Sequence, residues 1–280
     1  MKILILGGKG MAGHVITAFF QQKSEYQVSY TSRDPQDKNG IYLDVRNSTK
    51  LEEIIENIRP DITINCIGKL NDHAKNNTKL AFQINSLLPY QLAKFSEHYQ
   101  GKLIHISTDC VFSGKKGDYT ENDIPDGTSI YAQSKQLGEI ISDKHLTIRT
   151  SIIGPELKED GIGLFLWFMK QKGKIKGYKN VWWNGITTLE LAKAVETMIK
   201  HDITGLYHLG LDKKISKFML LKTIQEVFEK MDVEIIPDSC IIQDRTILST
   251  RTDFKYKVPT YQEMLLELKD WIGNPDGYKQ

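Results

Sequence analysis

The stretch "SIYAQSKQLGE", residues 129–139, holds a pair of residues that could carry out proton chemistry. Tyr131 and Lys135 are four residues apart, so on a helix their side chains lie one above the other on the same face. A phenol has an ordinary pKa of about 10 and must be shifted toward the working pH to shuttle a proton. A lysine ammonium one turn away favours the phenolate. The same spacing is also typical of a solvated helix face, so the rest of the chain must decide.

A glycine-rich loop, "LILGGKGMAGH", follows the first predicted strand and opens the first predicted helix. Gly8, Gly10 and Gly13 fit the pattern G-x-G-x-x-G, and Gly7, Gly10 and Gly13 fit G-x-x-G-x-x-G. Early glycines permit a tight turn and close approach to a pyrophosphate, which then faces the helix N-terminus. We therefore predict a dinucleotide site and expect contacts from Gly7, Gly10, Met11 and Gly13.

The end of the second predicted strand indicates which dinucleotide binds. The stretch "YTSRDP" places Ser32 and Arg33 where sites that prefer NAD usually carry an acidic residue. A hydroxyl and a guanidinium suit a 2′-phosphate, which favours NADPH. Asp34 comes next and leaves NADH open, and a solvated loop charge is the alternative for Arg33.

Strands and helices alternate through the first 154 residues. We predict strands at 2–7, 26–32, 41–45, 61–68, 102–108 and 146–154, with helices at 11–23, 48–60, 80–99 and from 129. Ser48 is the predicted N-cap of its helix, and Pro89 predicts a kink or restart. The alternation is typical of an α/β fold with a doubly wound parallel sheet of the Rossmann type.

The pattern loosens after residue 154. Helices are predicted at 163–173, 188–201, 216–231 and 260–272, with a strand at 205–210. We predict an NADP-binding Rossmann domain at 1–154, on which the helix at about 187–201 packs. Residues 155–280 are expected to form mainly a smaller α+β substrate-binding domain.

The composition excludes several classes of protein. The 280 residues include 37 basic and 35 acidic side chains, mixed along the chain, so neither a nucleic-acid partner nor a membrane partner is expected. No apolar run approaches the roughly 20 residues of a membrane span. Cys66, Cys110 and Cys240 are too widely spaced for a disulfide framework or a zinc site. We therefore expect a cytoplasmic protein with free thiols and no metal site.

Four segments, taken in order, carry a resemblance to a known family. They are "GGKGMAGH", "NCIG", "STDCVFSG" (107–114) and "YAQSKQLGE" (131–139). Together they resemble the extended short-chain dehydrogenases/reductases, and most closely the dTDP-4-dehydrorhamnose reductase group, which reduces 4-keto nucleotide sugars. The resemblance covers nearly the whole chain and is more specific in its N-terminal half.

The resemblance implies a role for each member of a catalytic set. Tyr131 would donate the proton, and Lys135 would tune the tyrosine and hold the nicotinamide ribose. The Thr108 hydroxyl would position the carbonyl oxygen, with Ser107 as the nearest alternative.

Further positions follow from the resemblance for the cofactor. Asp44 and Val45 match residues beside the adenine, and Gly68 lies where the family passes the cofactor beneath a loop. Asn85 matches an asparagine that supports the catalytic strand, with simple helix packing as the alternative.

For the substrate, the resemblance points to the C-terminal half. Trp183, beside Trp182, would stack on the base or sugar, although burial between domains explains the pair equally well. Arg245 would bind the nucleotide, since arginine suits a pyrophosphate, but the family's usual Arg-Pro is Arg245-Thr246 here. Cys110 is interpreted as a small buried residue.

The expected function is NADPH-dependent reduction of the C4 ketone of a 4-keto-6-deoxy nucleotide sugar, for deoxysugar or surface polysaccharide synthesis. Because "KLNDHAKNN" (69–77) departs from the family pattern, both dTDP-4-dehydrorhamnose and a UDP-2-acetamido-4-keto-6-deoxyhexose stay open as substrates. A homodimer also stays open. One alternative is an epimerase or dehydratase with tightly bound cofactor. Cys110 follows Asp109 where a dehydratase carries Glu. The other alternative is a non-catalytic NADP-binding regulatory subunit.

Overall fold

The computed structural model describes residues 1–274, apart from the side chain of Asp72. Strands β1 to β12 span, in chain order, Lys2–Leu6, Gln27–Ser32, Ile41–Tyr42, Ile62–Asn65, Lys102–Ile106, Leu146–Thr150, Ile152–Ile153, Gly173–Trp183, Ile186–Thr187, Gly205–Leu209, Ile215–Ser216 and Val233–Asp244. Helices α1 to α10 span Met11–Gln21, Ser48–Ile58, Asn71–Asn76, Thr78–Phe82, Leu88–His98, Ile130–Leu137, Leu164–Lys170, Thr188–Lys200, Lys217–Val227 and Tyr261–Gly273.

Seven parallel strands form the large sheet, in the order β10-β6-β5-β4-β1-β2-β3. The chain runs outward from β1 to β3 on one side and from β4 outward on the other. The order therefore reverses between β1 and β4, which is where ligands bind in sheets of this kind. The predicted doubly wound fold is confirmed. The edge strand β10 comes from the part of the chain after residue 154.

Helices cover both faces of the large sheet, because its strands are apolar on both sides. On one face Val15 of α1 and Val195 of α8 belong to a single buried cluster that also includes Leu268 of α10. On the other face Leu51 of α2 and Leu92 of α5 form the second cluster. The sheet is thereby fixed as a rigid platform for the loops at its carboxyl edge.

A smaller unit lies beyond β6. Its sheet has the order β11-β8-β12, in which β8 and β12 are parallel and β11 is antiparallel to β8. Phe168 of α7 and Ile224 of α9 pack against this sheet in a third buried cluster. No helix within residues 1–274 is long and apolar enough to span a bilayer.

Two local features refine the sequence prediction. The prediction of Ser48 as a helix cap is wrong: Asn47 caps α2, and its side chain accepts a hydrogen bond from the Lys50 N–H at 3.0 Å. The helix therefore begins one residue earlier than predicted, because the amide oxygen of Asn47 binds the Lys50 N–H. Pro89 does mark a restart, since a π-helical turn at Gln83–Leu87 precedes α5.

Candidate active site

The glycine loop joins β1 to α1 where the strand order reverses. Gly7 has a φ of +81°, and a Cβ at Gly13 would lie 2.1 Å from the Gly7 carbonyl oxygen. Both positions therefore require glycine. Gly10 is the N-cap of α1, Met11 is its first residue, and no side chain caps the helix. The free N–H groups of this helix end suit a bound pyrophosphate.

The end of β2 presents a hydroxyl and an exposed guanidinium. The buried Ser32 Oγ accepts a hydrogen bond from the Asp34 N–H at 3.1 Å. Arg33 is exposed, and no described residue engages its guanidinium in an ion pair or hydrogen bond. Asp44 is bonded by Arg46, which lowers the pKa of the Asp44 carboxyl to about 2. Val45, beside it, is buried.

Lys69 adds a cation that the sequence did not single out. Burial lowers the pKa of its ammonium, and the charges of Arg33, Lys158 and Arg46 lower that pKa further. Each of these three cations is therefore close enough to Lys69 for their charges to repel, while Asp44, which is paired with Arg46, acts against them. Such a concentration of positive charge suits a phosphate group.

Asn85 connects the loop after β4 to helix α6 by hydrogen bonds. Its Oδ1 accepts a hydrogen bond from the Lys69 N–H at 2.7 Å, and its Nδ2 donates to the Lys69 carbonyl and to Ser134 Oγ, each at 2.9 Å. Ser134 Oγ in turn donates to the Tyr131 carbonyl at 3.1 Å. Gly68, the residue before Lys69, is exposed on this loop. The Asn85 side chain thus joins the loop after β4 to α6.

We expect Asn85→Ala to lower the free energy of unfolding by about 2–4 kcal/mol, because the buried polar groups around Lys69 and Ser134 lose their partners. The variant should also bind cofactor more weakly, since the loop after β4 is released. Urea denaturation and a cofactor titration measure the two effects. Asn77→Ala is the control: it removes only the cap bond to the Leu80 N–H and should cost about 1 kcal/mol. Equal losses in both variants would contradict this role.

Tyr131 and Lys135 lie on the buried face of α6, as the four-residue spacing predicts. Ser129 caps the helix by accepting a hydrogen bond from the Ala132 N–H at 3.1 Å. The two side chains are only 9% and 3% exposed. Thr108 follows β5, and its Oγ1 accepts a hydrogen bond from the Cys110 N–H at 3.1 Å. The three predicted catalytic residues meet at the carboxyl edge of the sheet.

The phenol of Tyr131 is held in its protonated form. Burial raises its pKa above the usual range, the charges of Cys110 and Asp109 add to that effect, and a hydrogen bond with Thr108 acts against it. The phenol is therefore a neutral donor beside the threonine hydroxyl, but its pKa has moved away from the working pH and not toward it.

The Lys135 amine contacts two residues of β5. Its Nζ donates to the Ile106 carbonyl at 2.8 Å and lies 3.2 Å from His105 Nε2. Burial lowers the pKa of Lys135 to about 8. Lys135 therefore gives up its proton more readily than an ordinary lysine.

A buried ion pair joins Arg149 of β6 to Glu139, which follows α6. The same carboxylate binds Ser107, the alternative to Thr108. Arg149 donates to both carboxylate oxygens of Glu139, at 2.8 and 2.7 Å, and Ser107 Oγ donates to Glu139 Oε1 at 2.7 Å. Arg149 Nη1 also lies 3.1 Å from His208 Nε2. Since Ser107 is committed to Glu139, Thr108 is the hydroxyl left to face Tyr131.

Two cations lie near Asp109, the residue that follows Thr108. Burial raises the pKa of Asp109, while the charges of Arg245 and Lys217 lower it. Burial also lowers the pKa of Lys217 to about 8. Arg245 Nη1 contacts Cys110 Sγ at 3.6 Å, and its buried Nε has no partner among the described residues. Two cations and one carboxylate leave a positive balance that suits an anionic substrate.

The two tryptophans differ in exposure. Trp183 is 4% exposed, and its Nε1 donates to Ser151 Oγ at 2.9 Å. The Lys217 Nζ lies 5.0 Å from the centre of its ring. Trp182 is 38% exposed and lies beneath Lys214 Nζ at 5.9 Å. Trp183 is therefore buried against Lys217, and Trp182 has the more accessible ring.

Comparison with known proteins identifies the family. The model of the RmlD substrate binding domain matches residues 1–243. The chain belongs to the RmlD substrate-binding-domain family. It is 29% identical over 156 residues to a dTDP-4-dehydrorhamnose reductase of Aggregatibacter actinomycetemcomitans, covering 54% of this chain and 51% of the relative. This chain thus spans about half the length of that curated relative.

A second curated relative and a solved structure are also similar to this chain. Methionine adenosyltransferase 2 subunit beta of Bos taurus is 24% identical over 241 residues, covering 81% of this chain and 72% of the relative. The structure of a dTDP-4-dehydrorhamnose reductase from Bacillus anthracis in complex with NADP has a TM-score of 0.80 and 22% identity. It covers 96% of this chain and 98% of that one. The likeness shows the fold.

Sequence reasoning missed several residues of this RmlD-family site. Lys217 is the first residue of α9, where the helix dipole disfavours a cation, and that mismatch was the available signal. Lys69 follows a glycine at the carboxyl end of β4, a position at the ligand edge. His105 and Glu139 gave no signal beyond being polar residues beside apolar ones. Among the described residues, no group of three or more His, Cys, Asp or Glu side chains is placed to hold a metal ion.

Proposed function

We propose that this protein reduces the C4 ketone of a 4-keto-6-deoxy nucleotide sugar with NADPH, in the synthesis of a deoxysugar for a surface polysaccharide. The observation that carries the proposal is the hydrogen bond between Tyr131 and Thr108 at the carboxyl edge of the sheet, with Lys135 one turn from Tyr131 on the buried face of α6. Reductases among the relatives support the same reaction class.

The residues at the crevice fit a nicotinamide dinucleotide. The N–H groups at the start of α1 would hold the pyrophosphate, and Arg33 and Lys69 would face a 2′-phosphate. When bound, the cofactor supplies the hydride that the reduction requires. Val45 and Asp44 would border the adenine.

The chain itself supplies the proton and positions the ketone. Tyr131, held neutral by burial, donates its proton to the oxygen that becomes negative during reduction. The Thr108 hydroxyl holds that oxygen near the phenol. Lys135, once charged, stabilises the phenolate that remains. One proton moves to the substrate oxygen in each turnover, and it is replaced from solvent.

The cations near Asp109 support a substrate that carries a diphosphate. Arg245 has a buried Nε without a partner among the described residues, and Lys217 is close enough to Asp109 for their charges to interact. A planar guanidinium binds phosphate oxygens in pairs. Both a dTDP-linked and a UDP-linked sugar meet this requirement.

Arg33→Glu tests the cofactor preference. We expect NADPH binding to weaken about 10–100-fold, because hydrogen bonds to charged groups contribute about 1.5–3 kcal/mol. NADH binding should change by less than about threefold, since exposed charges are screened by salt. Quenching of protein fluorescence measures both dissociation constants. Lys94→Glu, an exposed charge reversal on α5, is the control; equal weakening of NADPH and NADH by Arg33→Glu would argue against a phosphate contact.

A role as the subunit of another enzyme is the second candidate. Its support is the match to methionine adenosyltransferase 2 subunit beta over 81% of this chain. Such a protein would bind the dinucleotide without consuming it. Tyr131 and Lys135 are both present and buried in this chain, which favours the reductase.

A substrate panel separates these functions. The purified protein is mixed with dTDP- and UDP-linked 4-keto-6-deoxy sugars and with NADPH or NADH, and absorbance follows cofactor oxidation. We expect stoichiometric oxidation of NADPH with one class of sugar, with the product configuration read by NMR. An epimerase or dehydratase would instead change the sugar without net oxidation of cofactor. Binding without turnover of any sugar would favour the subunit role.

A further inference from the structure

Three buried polar side chains form a chain of contacts that ends at Lys135. Asn65 ends β4, His105 lies in β5, and Lys135 lies on α6. Asn65 and His105 are completely buried. Asn65 Nδ2 lies 3.1 Å from His105 Nδ1, and His105 Nε2 lies 3.2 Å from Lys135 Nζ. Polar groups this deeply buried must find matched donors and acceptors.

The backbone fixes the orientation of the Asn65 amide. Its Oδ1 accepts a hydrogen bond from the Ile67 N–H at 3.1 Å, so its NH₂ group must face His105. An amide NH₂ only donates, which makes His105 Nδ1 the acceptor. A neutral imidazole then carries its hydrogen on Nε2. Burial lowers the pKa of His105 well below its usual value, which keeps the ring neutral.

The hydrogen on His105 Nε2 points at the lysine nitrogen. An ammonium has three donors and no lone pair, so it cannot accept that hydrogen. A neutral amine accepts it and still donates to the Ile106 carbonyl at 2.8 Å. Turning the Asn65 amide over would let His105 accept from an ammonium, but it would place the amide NH₂ against the Ile67 N–H. Only the neutral lysine satisfies every group.

The charges that face Lys135 from other elements do not reverse this result. Glu139, which follows α6, favours the ammonium, but Arg149 binds both of its carboxylate oxygens. Cys66, after β4, also favours the ammonium. Burial raises the pKa of its thiol to about 12, so Cys66 is uncharged at neutral pH.

We propose that Asn65 and His105 are positioning residues that favour the neutral amine of Lys135 over its ammonium in the cofactor-free protein. Asn65 selects the Nε2–H form of His105, and this N–H donates to Lys135. The neutral form of Lys135 must take up a proton before the lysine can act as a cation beside Tyr131. The functional consequence rests on the proposed reductase activity, in which charged Lys135 assists Tyr131.

The test reads the state of His105 directly. Protein labelled with ¹⁵N at histidine is examined by long-range ¹H–¹⁵N NMR at about pH 9, where Lys135, with a pKa of about 8, is neutral and an ordinary lysine, with a pKa of about 10.4, is still charged. His105→Gln assigns the signals, and His145→Gln is the control. His145 is a second buried histidine, and its Nδ1 accepts a hydrogen bond from the Leu103 N–H at 3.1 Å. We expect the Nε2–H form of His105 in the wild type and in His145→Gln.

Asn65→Asp should reverse the arrangement. Its carboxylate accepts from both the Ile67 N–H and His105, so His105 switches to the Nδ1–H form and accepts from a charged Lys135. The alkaline limb of the kcat/KM profile should then move up by roughly one pH unit, since charged Lys135 is favoured. Wild-type His105 in the Nδ1–H or doubly protonated form at this pH would overturn the proposal. The NMR result is independent of turnover, so failure of the proposed function would not imitate it.

Discussion

Tyr131→Phe should lower kcat by about 10²–10⁴-fold, the range expected when a positioned proton donor is removed. The change deletes one oxygen atom from a ring that stays apolar and buried, so the fold and cofactor binding should persist. Initial rates with saturating NADPH and a 4-keto nucleotide sugar measure the loss, and circular dichroism checks the fold.

A second buried tyrosine provides the matched control for Tyr131→Phe. The Tyr207 hydroxyl accepts a hydrogen bond from the Tyr256 N–H at 3.0 Å on the edge strand β10. Tyr207→Phe should lose about 1 kcal/mol of stability and keep its turnover. Wild-type turnover in a folded Tyr131→Phe variant would remove Tyr131 from the role of acid.

Arg149→Met should lower the free energy of unfolding by about 3–5 kcal/mol, because it leaves the Glu139 carboxylate buried without its partner. Both side chains of the pair are 3% exposed, and Arg149 supplies two of the hydrogen bonds to that carboxylate. Urea denaturation with fluorescence detection measures the loss. Activity should fall as well, since Glu139 also holds Ser107 beside Thr108.

An exposed pair and a double variant make the Arg149 experiment specific. Lys50→Met breaks the exposed Lys50–Glu53 pair, 3.1 Å apart, and should cost less than about 1 kcal/mol. Adding Glu139→Gln to Arg149→Met removes the orphaned charge and should recover part of the stability. A loss in Arg149→Met no larger than that in Lys50→Met would show that the buried pair does not stabilise the fold.

The fold could be predicted from the sequence where local signals agree. The apolar run before Gly7, the glycine spacing and the helix that follows all point to one strand–turn–helix unit, and the structure contains it. The alternation of strands and helices then restricts the sheet to a doubly wound order. The spacing of Tyr131 and Lys135 correctly predicted that they share one face of a helix, because helical periodicity is a local property.

The rest of the site depends on contacts between distant segments. Lys69 and Arg33 come together only because β2 and β4 flank β1. Lys217 reaches Asp109 from a helix in the smaller unit. The direction of the Lys135 amine depends on His105, which is 30 positions earlier in the chain. No periodicity or cap signal reports such distances, so these features required the structure.

Transfer of deuterium from NADPH to the sugar tests the central claim most directly. The protein is incubated with a 4-keto-6-deoxy nucleotide sugar and NADPH that carries deuterium at the transferable position, and the product is examined by NMR. We predict one deuterium at C4 of the product and one NADP⁺ formed for each sugar reduced. An unchanged sugar beside intact, bound NADPH, or a changed sugar without deuterium at C4, would contradict assignment as a ketoreductase.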